Sequence, residues 1–387
     1  MGSVTPKVSL LDTTLREGEQ TPGVYFDVHI KVAIADLLNE IGLDIIEAGH
    51  PAVTDEIQHA VEEIAGRNLH ARVGAHARSL KADVDLALEC GVQFLGIFYC
   101  VAEERLTHHS KGLTQAVEQI SQVISYAKAL KPDLVVRYTP EDAVRSSFEN
   151  VIFAASEAAH AGADVISIAD TTGFMIPGTK HNLYDYVSRL KDELAKRSLS
   201  PRIAVHCHND RGLALANALD GYRAGAEIID ASVMGLGERA GIVDLAILLA
   251  VLVNDFNARD DLRLNKLPEL YHLVSKYSGL PIPVNFPVIG ENAFTHCAGV
   301  HTQAALKNPL HYQSLDPSIV GRKSKIALDH MSGLSAVRYS LDQIGEENTD
   351  RAFALRILEK VKEVGQRGRT VDLTELKYIV RYLSEQS

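Results

Sequence analysis

The chain has 387 residues, of which 46% are hydrophobic and 23% charged, figures that suit one large folded domain with an appendage and exclude a disordered polymer. Its formal net charge of −11 argues against a nucleic-acid backbone as partner, while leaving room for a local basic pocket. No uninterrupted apolar run of about 18 residues occurs and the N-terminus lacks a secretory pattern, so a cytoplasmic protein without a membrane partner is expected.

Met1-Gly2-Ser3 opens like a myristoylation signal, but Pro6 stands where that signal needs Ser or Thr. Cys90, Cys100, Cys207 and Cys297 are scattered without CxxC spacing, so free thiols are expected in place of a disulfide framework or a thiolate zinc site.

Eight short apolar runs rich in β-branched residues follow one another along the chain, at 8–11, 44–47, 71–74, 94–98, 134–137, 165–168, 203–206 and 228–231. Longer segments between them, such as 29–41, 55–66, 113–130 and 211–224, carry apolar residues at helical spacing. Two of the crossovers end in Ala-Gly-Ala, at 161–163 and 224–226, a helix stop just before a strand. Eight strand–helix units in about 255 residues predict an α/β fold, a (β/α)8 TIM barrel. An open doubly wound sheet would show a glycine-rich phosphate fingerprint after its first strand, and none is present.

Beyond residue 256 the rhythm stops. Residues 257–312 read as a linker subdomain contributing to the active site, and 313–387 as a small helical C-terminal subdomain, with helices expected over 338–364 and 371–385. The run at 242–257 is more apolar than a surface crossover helix should be, and suggests packing against a second subunit in a homodimer.

Polar residues gather just after the strands: Arg16 and Glu17, His76, Arg137 and Thr139, Thr171, His206 and His208. In a barrel those positions converge on one mouth. His206 and His208, at i and i+2 on a strand, point the same way, so both imidazoles can reach one ion. With a carboxylate such as Glu17 they would suit Mg, Mn, Zn or Co and leave positions open for substrate. Arg137 at a strand end needs an anion, either a substrate carboxylate or a neighbour such as Glu141 or Asp142.

The segments DTTLREGEQ at 12–20, HCHND at 206–210 and GLGERAG at 235–241 resemble the DRE-TIM metallolyase superfamily, and within it the homocitrate and isopropylmalate synthases. The resemblance extends beyond the barrel through NAFTHCAGVH at 292–301, KNPLHY at 307–312 and GRKSKIALDHMSG at 321–333. It implies a divalent metal held by Glu17, His206 and His208, with Arg16 polarising a ketone beside it. It implies Thr171 on the substrate's 1-carboxylate, and Glu141 with His301 as the acid/base pair that enolises a thioester methyl. The expected partners are therefore acetyl-CoA and a 2-oxo acid.

Among the acids, His76, Arg137 and Thr139 match the trio with which homocitrate synthases hold the distal carboxylate of 2-oxoglutarate. Ala204 departs from the glutamate that homocitrate synthases often carry two positions before the first metal histidine, and Ser324-Lys325 from a nearby tyrosine in lysine-pathway members. His50 sits where relatives vary. Phenylpyruvate, pyruvate, 2-oxoisovalerate and phosphonopyruvate stay open as alternatives. A hydroxyacyl-CoA lyase of the same superfamily would carry a catalytic cysteine after the eighth strand, where this chain reads Gly237-Glu238-Arg239-Ala240-Gly241. A non-catalytic metabolite-binding barrel would have lost a metal ligand or Arg16, and none is lost. The chain ends too soon after its helical subdomain for the regulatory domain of leucine-pathway relatives, so no such domain is expected.

Overall fold

The computed structural model describes residues 8–108, 110–298, 304 and 308–386, in two compact units, Met1–Pro281 and Ile282–Ser387. In the first, eight parallel strands close in sequence order: β1 (Ser9–Asp12), β2 (Ile45–Glu47), β3 (Arg72–Arg78), β4 (Phe94–Cys100), β5 (Val135–Glu141), β6 (Val165–Asp170), β7 (Arg202–Cys207) and β8 (Ile228–Ala231). Closure is made by β8 lying against β1, with Ser9 opposite Ile228 and Asp12 opposite Ala231. Each of the eight expected runs contributes a strand, so the barrel is as predicted.

The crossover helices include α1 (Val28–Ile41), α2 (Asp55–Ala65), α3 (Lys81–Glu89), α4 (Glu103–His108), α5 (Leu113–Leu130), α6 (Phe148–His160), α7 (Leu183–Lys196) and α8 (Ala214–Arg223). Their starts are set by side-chain caps: Asp27, Thr54, Ser147 and Asn182 each accept a backbone N–H from the first turn of their helix.

The inside of the barrel is layered. Leu11, Ile45, Phe94, Val165, Ala204 and Ile228, with Val135 against them, form an apolar floor. Side chains alternate across a strand, so the residue two positions further on faces the same interior. Those residues are Thr13, Glu47, Gly96, Arg137, Ser167, His206 and Asp230. An almost wholly polar layer therefore rests directly on the apolar one, at the C-terminal ends of the strands.

Helix α9 (Leu245–Asn254) follows β8, and α10 (Leu267–Ser278) completes the unit. Leu245, Leu248, Leu249 and Leu252 are fully buried within this one chain. Tyr271 of α10 closes over the start of α9: its hydroxyl accepts from Ala246 N–H at 2.7 Å and donates to Asp244 at 2.8 Å. Much of the apolar run at 242–257 is thus covered within the chain itself, while Ile247, Val251 and Val253 stay half-buried. The expected boundary at residue 256 differs from the division at Pro281, because 257–281 is tied to the barrel. The Arg259 guanidinium, for instance, donates to Val8 and Gly42 carbonyls at 3.2 and 3.1 Å.

The second unit pairs two short parallel strands, β9 (Thr295–His296) and β10 (Lys325–Ile326). Three helices follow, α11 (Leu334–Asp342), α12 (Arg351–Gly365) and α13 (Leu373–Ser384), around a core of Leu328, Val337, Leu341, Ile357, Val361, Leu376 and Ile379. The single helix expected over 338–364 is therefore two. Gly345 breaks it with φ +83°, and Asp350 caps the restart by accepting the N–H groups of Ala352 and Phe353. Among the described residues no helix is long and apolar enough to cross a membrane.

Candidate active site

The strand ends surround a cavity lined by Arg16, Glu17, His76, Arg137, Thr139, Glu141, Thr171, His206 and His208, joined by His50, Phe98, Ser167, Asp230 and Glu238. Every expected site residue of the barrel is thus brought to one place; His301 lies outside the described residues.

On one side stand Glu17, His206 and His208, whose ligand atoms all lie within 4.8 Å of one another. His206 Nε2 is 3.4 Å from His208 Nε2, and His208 Nε2 is 3.9 Å from Glu17 Oε1. Donors about 2.1 Å from a shared ion sit about 3.0–3.4 Å apart at octahedral or tetrahedral angles, so modest closure would seat one. The protonation states agree. Asp230 Oδ2 lies 3.0 Å from His206 Nδ1, which makes that nitrogen the N–H donor and turns the Nε2 lone pair inward. Burial, reinforced by His206, lowers the His208 pKa to about 4, so this imidazole is neutral at pH 7. Glu17 is raised by burial but pulled the other way by Arg16, His206 and His208, and settles at about 2. Two imidazole Nε2 atoms and an ionised carboxylate brought together form a donor set that a divalent cation fits.

Arg16 leans across this trio: its NH1 pairs with Glu17 and its Nε donates to Glu47 Oε2 at 2.7 Å. Glu17 is fixed from the far side by the Glu238 N–H at 3.2 Å, which ties the GLGERAG loop to the turn after the first strand.

Glu47 is the hub of the polar layer. Fully buried, it accepts from Thr13 Oγ1 at 2.6 Å, Arg16 Nε at 2.7 Å, His76 Nδ1 at 3.1 Å and Arg137 NH2 at 3.2 Å. Burial raises its pKa, but Arg16, His76 and Arg137 outweigh that and hold it well below the usual carboxylate range. His76 is held neutral at pH 7, its pKa lowered to about 4 by burial and by Arg16.

Arg137 does not pair with Glu141 or Asp142. Its NH1 donates to both oxygens of Asp230, at 2.8 and 3.0 Å, and its NH2 to Glu47. Glu141, at the rim, accepts instead from the half-exposed Arg105 of α4 at 2.8 Å. Thr171 Oγ1 accepts the Asp142 N–H at 2.9 Å, leaving its own hydroxyl proton to donate. His50 is held by Asp83 at 3.1 Å and lines the wall where the His76 ring stacks on Phe98, 4.8 Å between centroids.

Glu47, Asp230 and Ser167 were missed as site residues. The signal was present for the two acids: each is a carboxylate closing or interrupting an apolar stretch, at 45–47 and 228–231, which is costly to bury unless something charged meets it.

Among protein families, the HMGL-like family matches residues 7–274, and the family described as homocitrate synthase post-HMGL domain-like matches residues 288–369. Among curated proteins, the homocitrate synthase of Pyrococcus horikoshii is 43% identical over 91% of this chain and 94% of its own length. The homocitrate synthase of Saccharolobus islandicus is 38% identical over 96% of this chain and 79% of its own. Among solved structures, the HMG-CoA lyase of Bacillus subtilis superposes with a TM-score of 0.61 at 22% identity, over 73% of this chain and 97% of that one. At that identity it speaks for the barrel fold alone.

Proposed function

The chain belongs to the HMGL-like family and, within it, to the homocitrate synthases, and on that premise we propose that it joins acetyl-CoA to a 2-oxo acid, 2-oxoglutarate, giving homocitrate and free CoA. The observation that carries the reading is the division of one cavity into a cation-binding trio, Glu17, His206 and His208, and a buried guanidinium, Arg137. A 2-oxo diacid offers a matching pair of ends.

Glu17, His206 and His208 would hold the divalent cation. When bound, that ion supplies Lewis acidity toward the keto group. The remaining chemistry belongs to the chain. Arg16, braced by Glu17 and Glu47, sets a permanent positive charge beside the ketone oxygen, where negative charge develops. Thr171 donates its hydroxyl proton to the 1-carboxylate. Glu141 takes a proton from the thioester methyl, and the carbon left with the electron pair bonds to the ketone carbon as the C=O π pair moves onto the oxygen beside Arg16. That alkoxide takes up a proton to become the hydroxyl, and water then cleaves the thioester into a carboxylate and the free thiol. Glu141 must leave Arg105 to do so, and that contact is at the exposed rim. His76, Arg137 and Thr139 face the distal carboxylate.

The test is release of CoA thiol from acetyl-CoA against a panel of 2-oxoglutarate, pyruvate, 2-oxoisovalerate and phenylpyruvate, with and without EDTA. Turnover is expected with 2-oxoglutarate, lost on chelation and in His206→Ala, and reduced at least a hundredfold in Glu141→Gln. Turnover confined to a monocarboxylate would reject 2-oxoglutarate as the substrate.

A further inference from the structure

The loop between β8 and α9 closes on itself. Gly235 and Gly241 both take the left-handed conformation, with φ +64° and +77°, and the Ile242 N–H donates to the Gly235 carbonyl at 3.0 Å. A methyl group at position 241 would lie 1.8 Å from that carbonyl oxygen, so only glycine lets the ring shut. Between the two glycines stand Glu238 and Arg239, and Arg239 also has a positive φ, +60°. A residue with a side chain seldom accepts that backbone unless its surroundings hold it there, and such residues gather at functional sites.

The Glu238 N–H is on Glu17, but Arg239 has other partners. Its Nε donates to Asp210 Oδ1 at 2.8 Å, and its NH2 to Asp210 Oδ2 at 3.1 Å and to the Thr171 carbonyl. Asp210 lies two residues past His208, and the Asn209 N–H between them donates to the Gly241 carbonyl at 2.8 Å. One guanidinium therefore ties together the segments that follow β6, β7 and β8. Of the pair, only Glu238 lines the cavity, so Arg239 works from behind Thr171. The ion pair is partly exposed, 37% at Arg239 and 26% at Asp210, and an exposed pair adds little to stability. What the planar fork supplies is a fixed geometry.

We propose that Arg239 is a positioning residue for the condensation: by holding the Thr171 main chain against Asp210, it fixes the place of the Thr171 hydroxyl relative to His208 and the cation trio. The 1-carboxylate and the keto oxygen of the acid are then met together, without Arg239 touching either. The assignment rests on the 2-oxo-acid reading above. Thr171 is held on its other side by the Asp142 N–H, 2.9 Å from its Oγ1, and Asp142 too has a positive φ, +55°. Freed from Arg239, Thr171 keeps its hydroxyl and loses its register with the metal ligands.

The experiment is calorimetry with 2-oxoglutarate on the Mn2+-loaded full chain. Arg239→Met is expected to weaken 2-oxoglutarate about tenfold, the scale of one hydrogen bond to a charged group. Mn2+ affinity should stay at the wild-type value, because the His208 N–H is held separately by the Asp170 carbonyl at 3.1 Å. Arg239→Lys keeps the charge without the planar fork and should bind 2-oxoglutarate as weakly as Arg239→Met. Thr171→Val removes the hydroxyl, and combining it with Arg239→Met should cost little more than either change alone, as for residues that act as one unit. Thermal melts verify folding, and Asp210→Asn, similar in shape but without the charge that meets the fork, is a second variant with the same expected loss. Wild-type affinity in Arg239→Met, full recovery in Arg239→Lys, or losses that simply add in the double variant overturns the positioning role while leaving the substrate reading standing. A wild type that does not bind 2-oxoglutarate overturns the substrate reading, and the assignment with it.

Discussion

Asp230 grips His206 at Nδ1, 3.0 Å away, with the same carboxylate that holds the Arg137 guanidinium at 2.8 Å. One buried acid thus orients a candidate metal ligand and a candidate anion reader together. Asp230→Asn keeps the shape but offers one acceptor oxygen where there were two, and removes the charge that favours the Nδ1–H tautomer. Loss of such a partner is expected to weaken metal affinity about 10–100-fold. Competition with a chelating dye measures it; an unchanged affinity would mean that His206 is oriented by packing alone.

Carboxylates crowd the cation site. Glu17 and Glu47 are held ionised while His76 and His208 are neutral at pH 7, and Arg16 and Arg137 are already engaged by Glu17, Glu47 and Asp230. A divalent cation would add positive charge there and make the cavity more receptive to an anion. Binding of 2-oxoglutarate is therefore expected to disappear in EDTA and return with added Mn2+, read by calorimetry without any turnover. Equal affinity in the chelated protein would contradict this.

Arg137 is as much a counter-ion as a reader of substrate. Its replacement by Met leaves Glu47 and Asp230 buried with less positive charge beside them. The expected cost is about 3–5 kcal/mol in urea unfolding, the range for removing one partner of a buried pair. Under 1 kcal/mol would show that water enters to solvate the two acids.

His76 gives the stability a pH dependence of known sign. Its folded pKa, about 4, lies below the ordinary histidine value of 6.5. Between those values the unfolded chain binds the proton that the folded one refuses. Its contribution is therefore intact above pH 6.5 and is lost as the pH falls towards 4. From pH 7 to pH 5 the loss amounts to about 2 kcal/mol, and His76→Gln should remove that part of the acid slope. Parallel slopes for the two proteins in urea titrations would show that His76 takes up its proton as readily folded as unfolded.

The barrel was legible because its signals are local. Runs such as 134–137 and 165–168 are too short and too branched for helices, and 113–130 keeps a helical period throughout. The His206/His208 pair was legible for the same reason, since i and i+2 on a strand share a face. What escaped depends on closure. Asp230 meets Arg137 across 93 positions and Glu47 meets it across 90, contacts that exist only once β8 has come round to β1 and polar residues of every strand share one interior. Gly96 carries no local mark at all; that His76, Glu47 and Arg137 close over it is visible only in what a methyl group would strike. The split between α11 and α12 was readable in Gly345 and Asp350, and was overridden by the apolar periodicity on either side.

The apolar floor has a consequence for traffic. Leu11, Ile45, Phe94, Val165, Ala204 and Ile228 are at most 2% exposed, so the chamber above them is closed at its floor. On the proposed function an acid reaching down to Arg137 would lie deeper than a thioester beside Glu141 at the rim, and that stacking would favour loading the acid first.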